Sequence, residues 1–206
     1  MVRMRVAFFG GTFDPIHRGH LALASAAANA FSLDRVLFAP VGHQPLKSEP
    51  PIATFADRLA MTALAVASAA DPRFAVSTID APRPGDAPNY TVDTLDALAR
   101  EYPAATLFLL AGADSFLTLR NWHAADRLLD LVEFIVVSRP EFPLAESKLA
   151  PLALTPAQRA RVHLLTTVHD DVSATDLRRR LHAGDPCRGL LPPTVADYIQ
   201  THSLYR

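Results

Sequence analysis

The chain has 206 residues, half of them hydrophobic and a fifth charged, with a formal net charge of −1 at neutral pH. That length suits one domain with a sizeable core, and the near-zero charge gives no electrostatic case for non-specific nucleic-acid binding. A single cysteine, Cys187, excludes an intramolecular disulfide; no apolar run is long enough for a membrane span, and the run after Arg3 and Arg5 is too short for a secretory signal, so a cytoplasmic protein is expected.

Residues 5–9 form the first apolar run and read as a buried strand. It leads into Gly10-Gly11-Thr12-Phe13-Asp14-Pro15-Ile16-His17-Arg18-Gly19-His20. Gly10 and Gly11 are expected to turn the backbone and expose its N–H groups. Pro15 is expected near the first turn of an alanine-rich helix that runs to about Phe31. Further strands are expected over residues 35–39, 74–78, 107–111, 134–138 and 162–165, and helices over 20–31, 55–69, 92–102, 124–131, 175–183 and 194–202. Thr54 and Asp57 resemble a capping box for the second helix. Gly184 is a C-cap for the fifth. The 17 prolines cluster over residues 40–51, 82–88 and 140–156, which read as loops.

This alternation implies an α/β fold: a Rossmann-like, doubly wound parallel sheet with helices on both faces, in one domain over residues 1–206. Ligands in such folds bind beyond the carboxyl ends of the strands. The turn at residues 10–20, the Gly112–Asp114 stretch and the pair Ser138 and Arg139 all fall at such ends. They point at one crevice.

The first turn has the chemistry of a phosphate site. A helix N-terminus carries unpaired N–H donors and partial positive charge. His17 and His20, three apart, are expected on one helix face, with Gly19 between them leaving room for a nucleotide. Two imidazole donors suit an α-phosphorus under attack, where catalysis is mostly positioning and charge stabilisation. The same histidines could be a zinc pair, although no cysteine or carboxylate is obviously placed to complete a tetrahedral set. Near the other end, Val172-Ser173-Ala174-Thr175-Asp176-Leu177-Arg178-Arg179-Arg180 reads as a helix N-cap at Ser173. With Arg178 it also reads as a second phosphate clamp. Arg179 and Arg180 read as solvated charges.

These residues carry a resemblance. The first segment resembles the T/H-x-G-H motif of the nucleotidyltransferase superfamily, and the full string resembles the bacterial nicotinate mononucleotide adenylyltransferase family. The second segment resembles that family's I-S-S-T-x-I-R-x-R, with Ala174 in place of its second serine. Asn89-Tyr90-Thr91-Val92-Asp93-Thr94-Leu95 resembles its Y-T-x-D-T-L. Gly112-Ala113-Asp114, followed by Asn121-Trp122-His123, resembles its G-x-D stretch and tryptophan. The likeness spans essentially the whole chain, with the C-terminal helical part from about residue 173 carrying the second motif.

The resemblance implies adenylyl transfer from ATP to nicotinate mononucleotide, with magnesium entering on the ATP phosphates. It implies catalytic roles for His17, His20 and Arg178. It places Gly10, Gly11, Thr12, Phe13, Gly19, Gly112, Asp114, Ser173 and Thr175 on ATP. It places Lys47, Tyr90, Thr91, Trp122 and Arg139 on the acceptor, Trp122 stacking on the pyridine and the helix start at Thr91 favouring the acid over the amide. Asp14 reads as structural. No nucleic-acid or membrane partner is expected. Phosphopantetheine adenylyltransferases, cytidylyltransferases and a catalytically silent nucleotide-binding regulator remain alternatives. A Rossmann dehydrogenase and a P-loop kinase are disfavoured, since neither glycine signature occurs.

Overall fold

The computed structural model describes residues 3–46, 49–138, 144, 146–166 and 172–206. In chain order the elements are β1 (Arg5–Gly11), α1 (Arg18–Ala30), β2 (Arg35–Pro40), α2 (Phe55–Ala69), β3 (Phe74–Val76), α3 (Thr91–Glu101), β4 (Thr106–Gly112), α4 (Ala113–Leu117), α5 (Ala125–Leu131), β5 (Glu133–Val137), α6 (Glu146–Leu149), α7 (Pro156–Ala160), β6 (Val162–Leu165), α8 (Ala174–His182) and α9 (Pro193–Thr201). The strands form one six-stranded parallel sheet in the order β3-β2-β1-β4-β5-β6. This is the doubly wound arrangement the alternation implies.

The sheet divides the core into two layers, and side-chain alternation assigns them. In β1, Ala7 and Phe9 face the layer that holds Ala24 and Ala28 of α1, Met61 of α2 and Ile199 of α9. Val6 and Phe8 face the opposite layer, with Leu95 of α3, Phe116 of α4 and Leu128 of α5. Strand β5 repeats the pattern: Ile135 and Val137 lie in the first layer, Phe134 and Val136 in the second. Runs that are apolar on every residue are what a sheet covered on both faces needs.

Two caps form much as their sequence suggests. The Thr54 hydroxyl accepts the Asp57 N–H at 3.2 Å and donates to Asp57 Oδ2 at 2.6 Å, fixing the start of α2. Gly184 closes α8 with φ +83°, its N–H on the Leu181 carbonyl and the Asp185 N–H on that of Arg180. That pairing is a Schellman cap, which needs the left-handed backbone glycine adopts easily.

Three expectations are corrected. Helix α1 starts at Arg18, two residues before the expected residue 20 and with Pro15 outside its first turn, because His17 is extended at φ −143° and ψ 174° and serves as the N-cap. The sharp turn after β1 falls on Phe13, whose φ is +48°. Gly10 and Gly11 instead complete the strand. Gly10 is needed for close approach, since a β-carbon there would stand 2.6 Å from the Phe8 ring. The proline-rich stretch expected as a loop over residues 140–156 contains α6 and leads into α7. Thr155 caps α7 in a reciprocal box with Gln158, at 3.2 and 3.1 Å, and Pro156 occupies the first helical position, where its missing N–H costs nothing. Short elements such as α4 and α6 carry too few turns for periodicity to reveal them.

Candidate active site

In the order 3-2-1-4-5-6 the chain reverses direction of travel between β1 and β4. Their carboxyl ends therefore splay apart and leave a crevice. A cleft of about 620 Å³ opens there, lined by Gly10 and Gly11 from the end of β1, Thr12 just beyond it, and Leu110, Ala111 and Gly112 from the end of β4. That volume falls within the roughly 300–1,000 Å³ of small-molecule sites. Asp114 and Ser115 of α4 line it, as do Asp80, Asn89, Tyr90, Thr91, Asn121, Trp122 and His123. The cleft thus brings together eight expected site residues: Gly10, Gly11, Thr12, Tyr90, Thr91, Gly112, Asp114 and Trp122.

The histidine pair sits beside this cleft at the start of α1. The rings lie against each other, tilted by 32°, with centroids 3.7 Å apart. The His17 N–H donates to His20 Nδ1 at 3.2 Å. A ring nitrogen that accepts carries no proton, so neutral His20 holds its hydrogen on Nε2, as a donor. Phe13 is buried and meets the His20 ring edge-on at 5.0 Å. Phe13 thus braces the imidazole from below, and it does not line the cleft. Gly19 is buried in the first turn of α1. The Arg18 N–H is already taken by the Leu190 carbonyl at 3.0 Å, so the helix start offers one donor fewer than the sequence suggests.

Arg178 comes to the same place from 164 residues away. Its Nη1 donates to the Asp14 carbonyl at 2.8 Å and its Nη2 to Thr175 Oγ1 at 3.3 Å. The two motifs therefore meet at the loop between β1 and α1. Ser173 is the N-cap residue of α8 by backbone, without a side-chain cap bond. Thr175 is exposed two residues further on, in the first turn of α8. Arg179 and Arg180 both pair with Asp176 on the surface of α8. Lys47 and Arg139 lie outside the described residues.

Beneath the loop is a buried polar frame. Asp14 is 4% exposed. Its Oδ2 accepts the Ile52 N–H at 2.8 Å, and its Oδ1 accepts the Ala53 N–H at 3.1 Å and the Tyr205 hydroxyl at 2.6 Å. Burial raises the Tyr205 pKa, and the Asp14 bond adds to it, so the phenol stays a donor. Arg58, 2% exposed, donates through Nη1 to the Thr12 carbonyl at 2.7 Å and the Val41 carbonyl at 2.9 Å. Burial pulls the guanidinium pKa down; Asp14 and then Tyr205 push it back. With these carbonyls held inward, the opposite side of the loop is left for a ligand.

The opposite wall is built from α3 and the loop after α4. Tyr90 is the N-cap residue of α3 but makes no side-chain cap bond, so the first N–H groups of that helix are not covered by a side chain. Tyr90 stacks on His123 at 4.3 Å. Trp122 is half-buried and donates to Thr118 Oγ1 at 3.4 Å. Asn89 ties this wall to its neighbours: Oδ1 accepts the His43 N–H at 2.9 Å, and Nδ2 donates to the carbonyls of Asp80 and Ala81 at 3.1 and 2.9 Å.

Sequence reasoning passed over Arg58, Asp80 and Tyr205. Arg58 left a signal, since it shares the buried stripe of α2 with Met61, Thr62 and Ala65. A charge at helical spacing within an apolar face needs a buried partner. Asp80 and Tyr205 lie in irregular segments with no periodicity to mark them. Among the described residues no three His, Cys, Asp or Glu side chains converge on a metal position, and no helix is long and apolar enough to cross a membrane.

The cytidylyltransferase-like family model matches residues 8–180. A Thermus thermophilus protein named probable nicotinate-nucleotide adenylyltransferase is 42% identical over 203 residues, covering 98% of this chain and 100% of that protein. One of the same name from Thermomicrobium roseum is 43% identical over 202 residues, covering 98% and 92%. The solved structure of Plasmodium falciparum nicotinic acid mononucleotide adenylyltransferase complexed with NaAD shares the fold, with a TM-score of 0.78 at 18% identity over 98% of both chains. The chain belongs to the cytidylyltransferase-like nucleotidyltransferases and, within them, to the nicotinate-nucleotide adenylyltransferase family.

Proposed function

We propose that this protein transfers the adenylyl group of ATP to nicotinate mononucleotide, giving deamido-NAD and pyrophosphate, a step of NAD biosynthesis. The observation that carries the reading is one cleft flanked by two unlike features. The His17 and His20 pair at a helix start, backed by Arg178, lies beside the cleft without lining it; the uncapped start of α3 and Trp122 form its wall. The first suits a triphosphate and the second an aromatic acid.

In this reading a phosphate oxygen of the mononucleotide attacks the α-phosphorus of ATP in line. The α–β bridging P–O bond breaks, and the electron pair leaves with pyrophosphate. No covalent enzyme intermediate is required. Negative charge grows on the non-bridging oxygens, where the Nε2–H of His20 and the cation of Arg178 are assigned to meet it. His17 holds the His20 ring through its backbone N–H and the tilted ring contact. Gly10, Gly11, Thr12 and Gly112 are assigned to the nucleotide by their place on the cleft floor, and Asp114 to its ribose. Ser173 and Thr175 are assigned to the phosphates beside Arg178. Magnesium enters as part of the ATP substrate and neutralises the departing phosphates.

Trp122 is assigned to the pyridine ring. The first N–H groups of α3, at Tyr90 and Thr91, are assigned to its carboxylate. An amide would present an NH₂ donor to those donors, so the acid is the preferred acceptor. The cytoplasm, which holds ATP, is the location that goes with this reading. The test is to mix purified protein with magnesium and ATP, add either mononucleotide, and follow pyrophosphate. Release with nicotinate mononucleotide, faster than with the amide, is expected. Release only with CTP or only with phosphopantetheine would overturn the reading, as would tight ATP binding without any release.

A further inference from the structure

One buried carboxylate on the cleft wall has no part in the chemistry above. Asp80 is 5% exposed yet lines the cleft. Its Oδ1 accepts the hydroxyl of Thr94 at 2.7 Å. Thr94 is itself 1% exposed, one turn inside α3, and its hydroxyl and its N–H both lie on the Tyr90 carbonyl, at 3.4 and 3.2 Å. Thr94 is the second threonine of the Tyr90-Thr91-Val92-Asp93-Thr94 stretch, and base recognition as assigned leaves it unused. The Asp80 main chain is held independently, its carbonyl accepting the Gly42 N–H at 2.8 Å and Asn89 Nδ2 at 3.1 Å.

We propose that Asp80 is a positioning residue that sets acceptor selectivity: through Thr94 it fixes the uncapped first turn of α3, against which the carboxylate of the acceptor base is held. This rests on the adenylyl-transfer reading. The physical reason is directional. Tyr90 gives α3 no side-chain cap; its stack on His123 and the solvent-facing Arg83–Asp93 pair also hold this turn, and the Asp80–Thr94 bond is its buried tie. Charge-assisted bonds from N–H donors to a carboxylate weaken steeply with misalignment. A small displacement of that turn therefore penalises the acid base, while an amide, which makes weaker use of those donors, loses little. Burial raises the Asp80 pKa, partly offset by its bonds. Its role here is as an acceptor for Thr94, which a neutral amide can replace.

The test compares Asp80→Ala, Asp80→Asn, Thr94→Val and Thr94→Ser with the parent protein. Pyrophosphate release is measured against ATP and against each mononucleotide. Asp80→Ala and Thr94→Val are expected to raise KM for nicotinate mononucleotide about tenfold, about 1.4 kcal/mol, with KM for ATP held within about twofold. The acid-to-amide ratio of kcat/KM should fall by the same factor. Asp80→Asn and Thr94→Ser retain the bond and should restore both values. A purely structural role would lower the melting temperature and kcat for both acceptors alike and leave the ratio unmoved; that result overturns the proposal. So does an Asp80→Asn variant as impaired as Asp80→Ala. If Asp80→Ala does not fold, the Thr94 pair decides by the same ratio. A parent protein inactive with both mononucleotides refutes the functional reading itself, which is a separate outcome.

Discussion

Replacing His20 by alanine separates the chemistry of the imidazole from its structural work. The substitution removes the Nε2–H donor. It also removes the acceptor for the His17 N–H at 3.2 Å, the ring contact with His17 at 3.7 Å and the edge contact with Phe13 at 5.0 Å. The structural part is that of a helix cap, worth about 0.5–2 kcal/mol. In a chain of this size that lowers the melting temperature by roughly 1–8 °C. The chemical part is larger, because a donor aimed at charge that develops only in the transition state contributes about 2.7–4 kcal/mol, or roughly 100–1,000-fold in kcat. KM for ATP should change less than about tenfold, since the donor meets that charge only at the α-phosphorus under attack. His20→Asn supplies the control. Its side-chain oxygen stands near the former Nδ1 position and can accept the His17 N–H, but nothing reaches the former Nε2 position. That variant should recover most of the melting temperature and none of the turnover. Pyrophosphate release at saturating substrate, with ATP titrations and thermal melts, measures each part. A His20→Ala protein within about threefold of parental turnover would refute the assignment, and so would recovery of turnover in His20→Asn.

Arg58→Met leaves the carbonyls of Thr12 and Val41 without their buried donor, which should cost about 3 kcal/mol and roughly 6–12 °C in a thermal melt; an unchanged melt would show that the frame under the loop does not depend on it. Trp122→Ala should raise KM for the mononucleotide about tenfold and spare that for ATP; a fall in melting temperature with both KM values unchanged would assign the ring to packing alone. Asp57 bonds to Thr54 and accepts the Tyr198 hydroxyl at 3.0 Å, tying α2 to α9, and the Thr54 bond foremost holds its pKa below the ordinary 3.8. A depressed folded-state pKa stabilises above the ordinary value and is lost as pH falls through the folded one. The melting-temperature gap between the parent and Asp57→Asn should therefore be full at neutral pH and shrink below about pH 3.8; a gap that persists in acid would contradict the linkage.

Much of this molecule is legible in its sequence, because local patterns and backbone rules act over a few residues. The period of the apolar runs marks six strands and six helices, four of the latter displaced by a residue or so and α1 by two, and strand–helix alternation implies the parallel sheet. Gly184 ends α8 and Thr54 starts α2 because a cap's chemistry lies within one turn. The His17 and His20 string suggests a phosphate site by its spacing and its place at a helix start, and its resemblance to the family motif adds the catalytic expectation. What the sequence left open depends on contacts between distant residues. The turn on Phe13, the extended His17, and the start of α1 at Arg18 follow from the Leu190 carbonyl and the packing of Phe13 under His20. Arg178 reaching Asp14, Tyr205 closing on the same residue, and Asp80 gripping Thr94 span 164, 191 and 14 positions. No local period or propensity encodes such partners, because each pair exists only once the sheet has brought its strand ends together.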